Sequence, residues 1–246
     1  MKRGSVDVFT GFLRSQSGLM AEHPVRQKPA ITISRQAGAG AITVAELVAK
    51  QLDIECPGDP PCPWVVFDRN LVEEIAKDHN LSKTVATYMV EDARFPLADA
   101  FEALLGLHPS SWTMMEQAAT TVRKLAMKGN VILVGRGSSA ITARVPHVLH
   151  VRLVAPYHER VRHFAKYNHL SEERAALVVR EKDEGRRRFL RQYFGIDIDD
   201  PLNYDLVINT GRTSFRQAAR IISNSIRDQM ATDHTTKDYA RALRTG

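Results

Sequence analysis

The sequence predicts an α/β fold in which a single parallel β-sheet is covered by helices on both faces. Five short apolar segments of strand length alternate with longer segments whose apolar residues recur at helical spacing. Strands that are apolar at nearly every position are typical of parallel sheets buried on both sides. The length of 246 residues and the hydrophobic content of 43% fit one such domain with insertions, or at most two small domains.

The predicted strands are short runs rich in Ile, Val, Leu and Phe. The first begins at Ala30, and the others are predicted over 64–67, 131–134, 148–154 and 205–209. Helices are predicted from the first loop to Leu52, in three pieces over 69–106, and then over 110–128, 156–168, 172–194 and 215–230. Gly129 ends one of these helices, and Ser171 begins another as its N-cap residue. Around this domain, taken as 29–231, we expect an N-terminal arm over 1–28 and a polar C-terminal tail over 232–246.

The balance of charge indicates an anionic partner. The chain has 34 Lys and Arg against 28 Asp and Glu, a net charge of +6. This excess suits nucleotides and nucleic acids alike, so charge by itself does not separate the two. No segment approaches the roughly 18 apolar residues that a membrane span needs, and the first residues lack the apolar core of a signal peptide. We therefore expect a cytoplasmic protein with no membrane partner.

Two cysteines, Cys56 and Cys62, lie in a Pro-rich segment between a predicted helix and a predicted strand. Their spacing, without a neighbouring His or a third Cys, argues against a zinc site. A disulfide that closes this loop is disfavoured in a reducing compartment. A surface loop is the favoured interpretation.

The segment 30–52 is the most informative part of the chain, because it predicts a strand, a small-residue turn and a helix in that order. In such a turn the backbone N–H groups of Gly38, Ala39 and Gly40 and the positive end of the helix would converge on phosphate oxygens. A tight structural turn that packs a helix closely on a sheet is an equally good interpretation of the same residues.

The turn departs from the usual P-loop pattern G-x-x-x-x-G-K-[ST] at two positions. Arg35 stands at the first Gly and Ala41 at the Lys, while Thr43 can still supply a hydroxyl that faces a metal ion. The scaffold therefore predicts a nucleotide site that lacks its usual cation.

Further polar residues directly follow predicted strands. Asp68 follows the second strand, and Arg136 lies between Gly135 and Gly137 after the third. Because ligands of parallel α/β sheets bind outside the carboxyl ends of the strands, these residues are expected beside the glycine turn. Arg136 is interpreted as a phosphate ligand, against the alternative of an ion pair at the sheet edge. Asp68 is expected either to orient a ribose, a base or hydrated Mg²⁺, or to cap the helix that follows it.

A cationic segment late in the domain predicts a lid. Six Lys and Arg residues fall within the twelve positions 180–191, interspersed with Glu181, Asp183 and Glu184. Such a run is either a solvated helix face or a group of cations that closes over an anion, and for the cluster we favour the second. The nine histidines show no metal-binding spacing.

Taken together, these segments resemble the cytidylate kinase-like family of P-loop proteins over about residues 30–229. The resembling blocks occur in the family's order: 31–36 with 38–40, 67–69 with 71–76, 134–137, 151–156 with 159–160, 183 with 186–187, and 204–210. True cytidylate kinases have Lys where this chain has Ala41 and Asp where it has Gly137. Several linked blocks are more specific than any single one.

The resemblance implies a three-layer α/β/α P-loop kinase fold with a five-stranded parallel sheet, a helical lid and an insertion that binds the nucleoside monophosphate (NMP). It implies a kinase that transfers the γ-phosphate of ATP to CMP or a related acceptor with Mg²⁺. The residues implied to hold ATP are Gly38, Ala39, Gly40, Ala41, Ile42 and Thr43, with Thr43 facing the metal. Those implied to bind the acceptor are Asp68, Arg69, Arg136 and Arg160. Those implied to be catalytic are Asp183, Arg186, Arg187 and Arg35, and Arg35 or an Arg of the lid is the candidate replacement for the missing Lys.

Two other functions stay open at this point. One is a nucleotide-binding or regulatory protein that has lost catalysis on the same fold, which the missing Lys favours. The other is a nucleic-acid-binding module, which charge alone supports and which lacks aromatic residues interleaved with the Arg cluster. We therefore expect a small-molecule nucleotide as partner and do not expect nucleic acid.

Overall fold

The computed structural model describes residues 28–55, 63–68, 111–135 and 137–245, of which 111–118, 121 and 232–245 are described by their backbone only. The strands are β1 (Ala30–Arg35), β2 (Val65–Phe67), β3 (Val131–Val134), β4 (Val148–Val154) and β5 (Leu206–Asn209). They form one sheet in the order β2-β3-β1-β4-β5, and every neighbouring pair is parallel. The predicted parallel sheet is confirmed: β1 begins at the predicted Ala30, and the bounds of the other four strands lie within one residue of the prediction.

The described helices are α1 (Ala41–Glu55), α2 (Ser111–Lys128), α3 (Ser138–Thr142), α4 (Tyr157–Asn168), α5 (Glu172–Phe194) and α6 (Phe215–Thr245). The predicted N-cap of α5 is confirmed, since the Ser171 side chain accepts a hydrogen bond from the backbone N–H of Arg174. Gly195 ends α5 in the left-handed conformation that favours glycine at this position.

Helices cover both faces of the sheet, as predicted. On one face, α1 and α6 pack over a buried core that includes Ile31 and Ile222. On the other face, α2 and α3 contribute Ala126 and Ile141 to a second buried core. Alternate residues of each strand point to opposite faces, so strands that are apolar throughout supply both cores. The result is a three-layer α/β/α domain.

A third, smaller core joins α4 and α5 to each other and to the loop after β1. Its buried members are Val161 and Ala165 of α4, Ala175 and Val179 of α5, and Ala37 of that loop. The two helices therefore lie over the carboxyl edge of the sheet, where the helical lid is expected.

Three parts of the secondary structure differ from the prediction. Helix α3 was not predicted, because five residues are too few to display a helical repeat of apolar residues. A single 3₁₀ turn over Pro201–Asn203 was also missed, although Asp200 caps it through the backbone N–H of Leu202. Helix α6 continues to Thr245, through most of the segment that we expected to be a separate polar tail.

Several predictions fall outside the described residues. These are the helices over 69–106, the loop that carries Cys56 and Cys62, and most of the N-terminal arm. The NMP-binding insertion is not among the described elements either. Within the described part of the chain, no helix combines the length and apolar character that crossing a membrane requires.

Candidate functional site

The glycine loop, residues 36–40, connects β1 to α1. Hydrogen bonds attach it to the end of β4 and to the residues that follow β4 and β5. Gln36 donates its backbone N–H to the Leu153 carbonyl at 3.0 Å, and its side-chain Oε1 accepts from the Ala155 N–H at 3.0 Å. Thr210, which directly follows β5, donates its hydroxyl to the Ala39 carbonyl at 3.1 Å. The loop is thus held by both neighbouring strands on that side of the sheet.

Glycine is required at two positions of this loop. Gly38 and Gly40 have φ angles of +81° and +78°, which L side chains rarely adopt. A Cβ atom on Gly38 would also overlap the backbone of Arg160 in α4, and one on Gly40 would overlap the Phe215 ring at the start of α6. The two glycines therefore allow α4 and α6 to close directly on the loop.

The N–H groups of the loop differ in whether they bond within the protein. Ala39 donates its N–H to the Gln36 carbonyl at 3.2 Å, so this amide serves the turn itself instead of a phosphate. Among the described residues, none accepts a hydrogen bond from the N–H of Gly38 or Gly40. The first-turn amides of α1 have no acceptor within the helix, because a helix leaves its first N–H groups unpaired. In the described part of the chain, amides without a protein acceptor therefore lie at Gly38, Gly40 and the first turn of α1.

Asp183 of α5 reaches down to the glycine loop. Its Oδ1 accepts the backbone N–H of Ala37 at 2.6 Å, and its Oδ2 accepts from Arg160 Nη1 at 2.6 Å. Arg186 Nη1 lies 3.4 Å from Oδ1. The side chains of Arg160 and Arg186 are each only 8% exposed, and that of Asp183 is 21% exposed, so the cluster is largely shielded from water. The Asp183 carboxylate of the lid helix α5 therefore already occupies one N–H donor of the loop, that of Ala37.

Arg160 is tied mainly to backbone. Besides Asp183, its Nη1 donates to the Ala37 carbonyl at 3.0 Å, and its Nε donates to the Ala155 carbonyl at 3.0 Å. These bonds join α4, the glycine loop and the end of β4 through one guanidinium. Arg160 acts here as a brace for the loop.

A second polar cluster lies where β1 and β4 run side by side, and the sequence analysis missed it. Arg152 of β4 donates to Ser34 Oγ at 3.0 Å and to Asp199 Oδ1 at 2.6 Å, and its guanidinium lies 5.6 Å from the centre of the Tyr204 ring. Asp199 also accepts from Arg187 of α5 at 3.0 Å. The available signal was Arg152 inside strand 148–154, whose other residues are apolar except His150, since a buried cation needs a carboxylate partner.

Ionisation within this second cluster follows from its contacts. Burial raises the pKa of the Asp199 carboxyl, but the bonds from Arg187 and Arg152 outweigh it and hold that pKa below its ordinary value of 3.8. Burial raises the pKa of the Tyr204 phenol, which therefore stays protonated at neutral pH. At neutral pH the cluster is a carboxylate between two guanidinium groups.

A groove of about 530 Å³ opens beside the turn after β5. It is lined by Arg212, Thr213, Gln217, Arg220, Ile221 and Asn224. Four of these residues, Gln217, Arg220, Ile221 and Asn224, lie on the exposed face of α6, opposite the face that packs in the core.

Comparison with known proteins decides the family. The sequence model of the Cytidylate kinase-like family matches residues 30–212, from the first residue of β1 to the turn after β5. The chain belongs to this family. A cytidylate kinase from Pyrococcus horikoshii is 26% identical over 202 residues, which span 82% of this chain and 90% of that relative. A cytidylate kinase from Thermococcus kodakarensis is 29% identical over 143 residues, 58% of this chain and 70% of that relative.

A solved structure supports the fold of this cytidylate kinase-like protein. An uncharacterized protein from Eubacterium ventriosum superposes with a TM-score of 0.58 at 18% identity, covering 81% of this chain and 99% of that chain. The three-layer α/β/α fold with a five-stranded parallel sheet, implied by the sequence, is confirmed.

The described structure of this cytidylate kinase-like protein brings some predicted site residues together and leaves others apart. Asp183, Arg160 and Arg186 meet at the glycine loop, whereas Arg187 points to Glu184 and Asp199 instead. Arg69 and Arg136 lie outside the described residues.

The remaining predicted residues take the following positions. Arg35 is half-buried at the end of β1, directly before the loop, and Asp68 is buried directly after β2. Ile42 and Thr43 are half-buried in the first turn of α1. Ala41, at the position of the missing Lys, is buried and belongs to the core between α1, α6 and the sheet. In the described part of the chain, no three His, Cys, Asp or Glu residues are grouped to hold a metal ion.

Proposed function

We propose that this protein is a cytoplasmic, ATP-dependent NMP kinase that transfers the γ-phosphoryl group of ATP to CMP or a related acceptor in the presence of Mg²⁺. The observation that carries the proposal is the direct link between lid and loop, in which Asp183 of α5 binds the Ala37 N–H and Arg160 at 2.6 Å each. A lid that already contacts the phosphate-binding loop is suited to exclude water from phosphoryl transfer.

In this reaction an oxygen of the acceptor phosphate attacks the γ-phosphorus, and the bond to the β–γ bridging oxygen breaks to release ADP. The loop amides and the first turn of α1 would hold the donor phosphates, and the Thr43 hydroxyl would help to hold the Mg²⁺ that neutralises them. Asp68, Arg69 and Arg136 bind the acceptor. Arg160, which the resemblance also implied as an acceptor ligand, instead keeps the loop in shape, because its Nε and Nη1 already bond within the protein. Arg186 and Arg187 stabilise the charge that develops during transfer.

The protein must supply a cation in place of the missing Lys. Arg35 is the candidate nearest in sequence, since it ends β1 immediately before the loop. Arg186 is the candidate from the lid, since its guanidinium lies beside Asp183 at the loop. An Arg offers several donors to a phosphate, so either residue is chemically suited to the task.

A second candidate is a protein that binds nucleotide without turning it over. The specific observation in its favour is Ala41, whose methyl group is buried in the core where a P-loop kinase has a phosphate-binding Lys. Both candidates predict nucleotide binding, so only turnover separates them.

The deciding experiment measures ADP formation from ATP and Mg²⁺ with CMP, dCMP, UMP and AMP as separate acceptors. Arg186→Gln should lower kcat by about 10²–10³, the usual effect of removing one transition-state contact. Arg188→Gln is the matched control, because Arg188 lies on the same helix with a side chain 57% exposed; it should retain wild-type turnover.

Thermal shifts with the same nucleotides provide the binding arm. A ligand at a hundredfold excess over its Kd stabilises the folded state by about 2.7 kcal/mol. Stabilisation by nucleotides without turnover of any acceptor would replace the kinase proposal with the second candidate.

A further inference from the structure

Asp199 joins two arginines from distant parts of the chain. Its Oδ1 accepts from Arg152 Nη2 at 2.6 Å, and its Oδ2 accepts from Arg187 Nη2 at 3.0 Å. Arg152 belongs to β4, in the sheet, and Arg187 belongs to α5, the lid helix. One carboxylate therefore connects the floor of the site to its lid.

Arg152 is the fixed end of this connection. Its side chain is only 4% exposed, and it is held by Ser34 of β1 and by the face of the Tyr204 ring. The Tyr204 hydroxyl also donates to the Ile198 carbonyl at 2.9 Å, which fixes the backbone next to Asp199. A buried guanidinium strongly favours keeping its carboxylate partner in place, because an unpaired buried charge is costly.

Arg187 is the adjustable end. Its side chain is 42% exposed, and its second partner is Glu184, one turn earlier on the same helix. An Arg that is already held by carboxylates loses less rotamer freedom when an anion binds than an Arg that moves freely in solvent. Ser34 lies two residues before the glycine loop, so the connection is anchored at the phosphate-binding edge of the sheet.

We propose that Asp199 is a positioning residue that holds Arg187 toward the phosphate-binding edge by linking it to the buried Arg152. Asp199 itself contacts no substrate in this role. The inference rests on the proposed function for its effect on turnover, but its effect on anion binding is independent of whether the protein is a kinase.

The test compares Asp199→Asn, Arg187→Gln and the double variant. Two quantities are measured for each: kcat and KM for phosphoryl transfer, and the affinity for inorganic tripolyphosphate by calorimetry. Asp200→Asn is the matched control, since it removes the same charge one residue away while Asn still caps the 3₁₀ turn.

Each single variant should lower kcat and tripolyphosphate affinity by about 10- to 100-fold, the worth of a charge-assisted hydrogen bond. The double variant should lose no more than either single one, because both changes disable the same guanidinium. Asp200→Asn should match the wild type. Arg187→Lys should lose nearly as much as Arg187→Gln, because a single ammonium cannot bridge Asp199 and an anion as a planar fork does.

The outcomes separate the two proposals. Absence of turnover in the wild type would reject the kinase proposal. Equal losses of tripolyphosphate affinity in the single and double variants would still support the positioning role. Wild-type tripolyphosphate affinity in Asp199→Asn would overturn the positioning role and leave Asp199 a structural brace, as would additive losses in the double variant. If Asp199→Asn fails to fold, wild-type affinity in Arg187→Lys overturns the inference on its own.

Discussion

Replacing Asp183 with Asn should destabilise the protein by about 3 kcal/mol, because Asp183 is the carboxylate of a largely buried ion pair. It accepts two short hydrogen bonds of 2.6 Å, one from the Ala37 N–H and one from Arg160. Hydrogen bonds to charged groups are worth about 1.5–3 kcal/mol each. Asn keeps one oxygen acceptor, and the 21% exposure of the Asp183 side chain screens part of the charge, so the loss stays below the sum of the two bonds.

The coupling between Asp183 and Arg160 is measured by a double-mutant cycle. Urea unfolding of Asp183→Asn, Arg160→Gln and the double variant, followed by tryptophan fluorescence, should give a coupling energy of about 2 kcal/mol. The matched control is Glu184→Gln, whose carboxylate is 51% exposed and pairs with Arg187 and Arg188 at the surface. It should cost less than about 1 kcal/mol.

Two results would refute this reasoning. One is a loss in Asp183→Asn no larger than that in Glu184→Gln, which would mean that burial adds nothing to the pair. The other is a coupling energy below about 0.5 kcal/mol, the level found for residues that do not interact. Either result would also show that the contact between lid and loop, on which the proposed function rests, contributes little free energy.

Further predictions concern the acceptor, the missing cation, pH and nucleic acid. Arg136→Ala should weaken CMP binding by about 1.5–3 kcal/mol without lowering Tm, and an unchanged affinity in calorimetry would exclude Arg136 as a phosphate ligand. If an Arg replaces the missing Lys, Ala41→Lys should change turnover little. Arg35→Ala should reduce turnover if Arg35 is the replacing residue. The absence of turnover in the wild type, together with an unaffected nucleotide affinity in Arg35→Ala, would contradict this prediction. Burial lowers the pKa of His150 below its ordinary 6.5, because it outweighs the opposing charge of Asp205. As the pH falls, the unfolded state therefore binds a proton at this residue before the folded state does. The free energy of unfolding should accordingly decrease as the pH falls below 6.5. In His150→Gln this pH dependence should be weaker by at most about 1.4 kcal/mol per pH unit, and an identical slope in urea unfolding would refute the assignment. Nucleic-acid binding should be weak and non-specific in filter-binding assays, and sequence-dependent nanomolar affinity at physiological salt would reverse the order of the candidate functions.

Local pattern was enough to predict the strands, most described helices and the position of the glycine loop. The run 131–134 is apolar at every position, and α5 begins directly after its N-cap Ser171 and ends before Gly195. These signals act over a few residues, because hydrophobic periodicity and capping depend on near neighbours in the chain. The sequence also predicts which residues lie at the carboxyl edge of the sheet, because parallel strands bring their carboxyl ends to the same edge.

The contacts within the site were decided only by the tertiary structure. Asp183 binds a backbone N–H that is 146 residues away in sequence, and Arg152 pairs with Asp199 at a separation of 47 residues. Both contacts form because α4 and α5 pack over the loop and return the chain across the sheet edge, which no local pattern specifies. The sequence predicted six cations as one lid cluster over 180–191. In the structure these cations divide into two groups. Arg186 lies at the loop, whereas Arg187 contacts the sheet through Asp199. The group to which an Arg belongs depends on the side of α5 that it occupies and on the burial of its carboxylate partner.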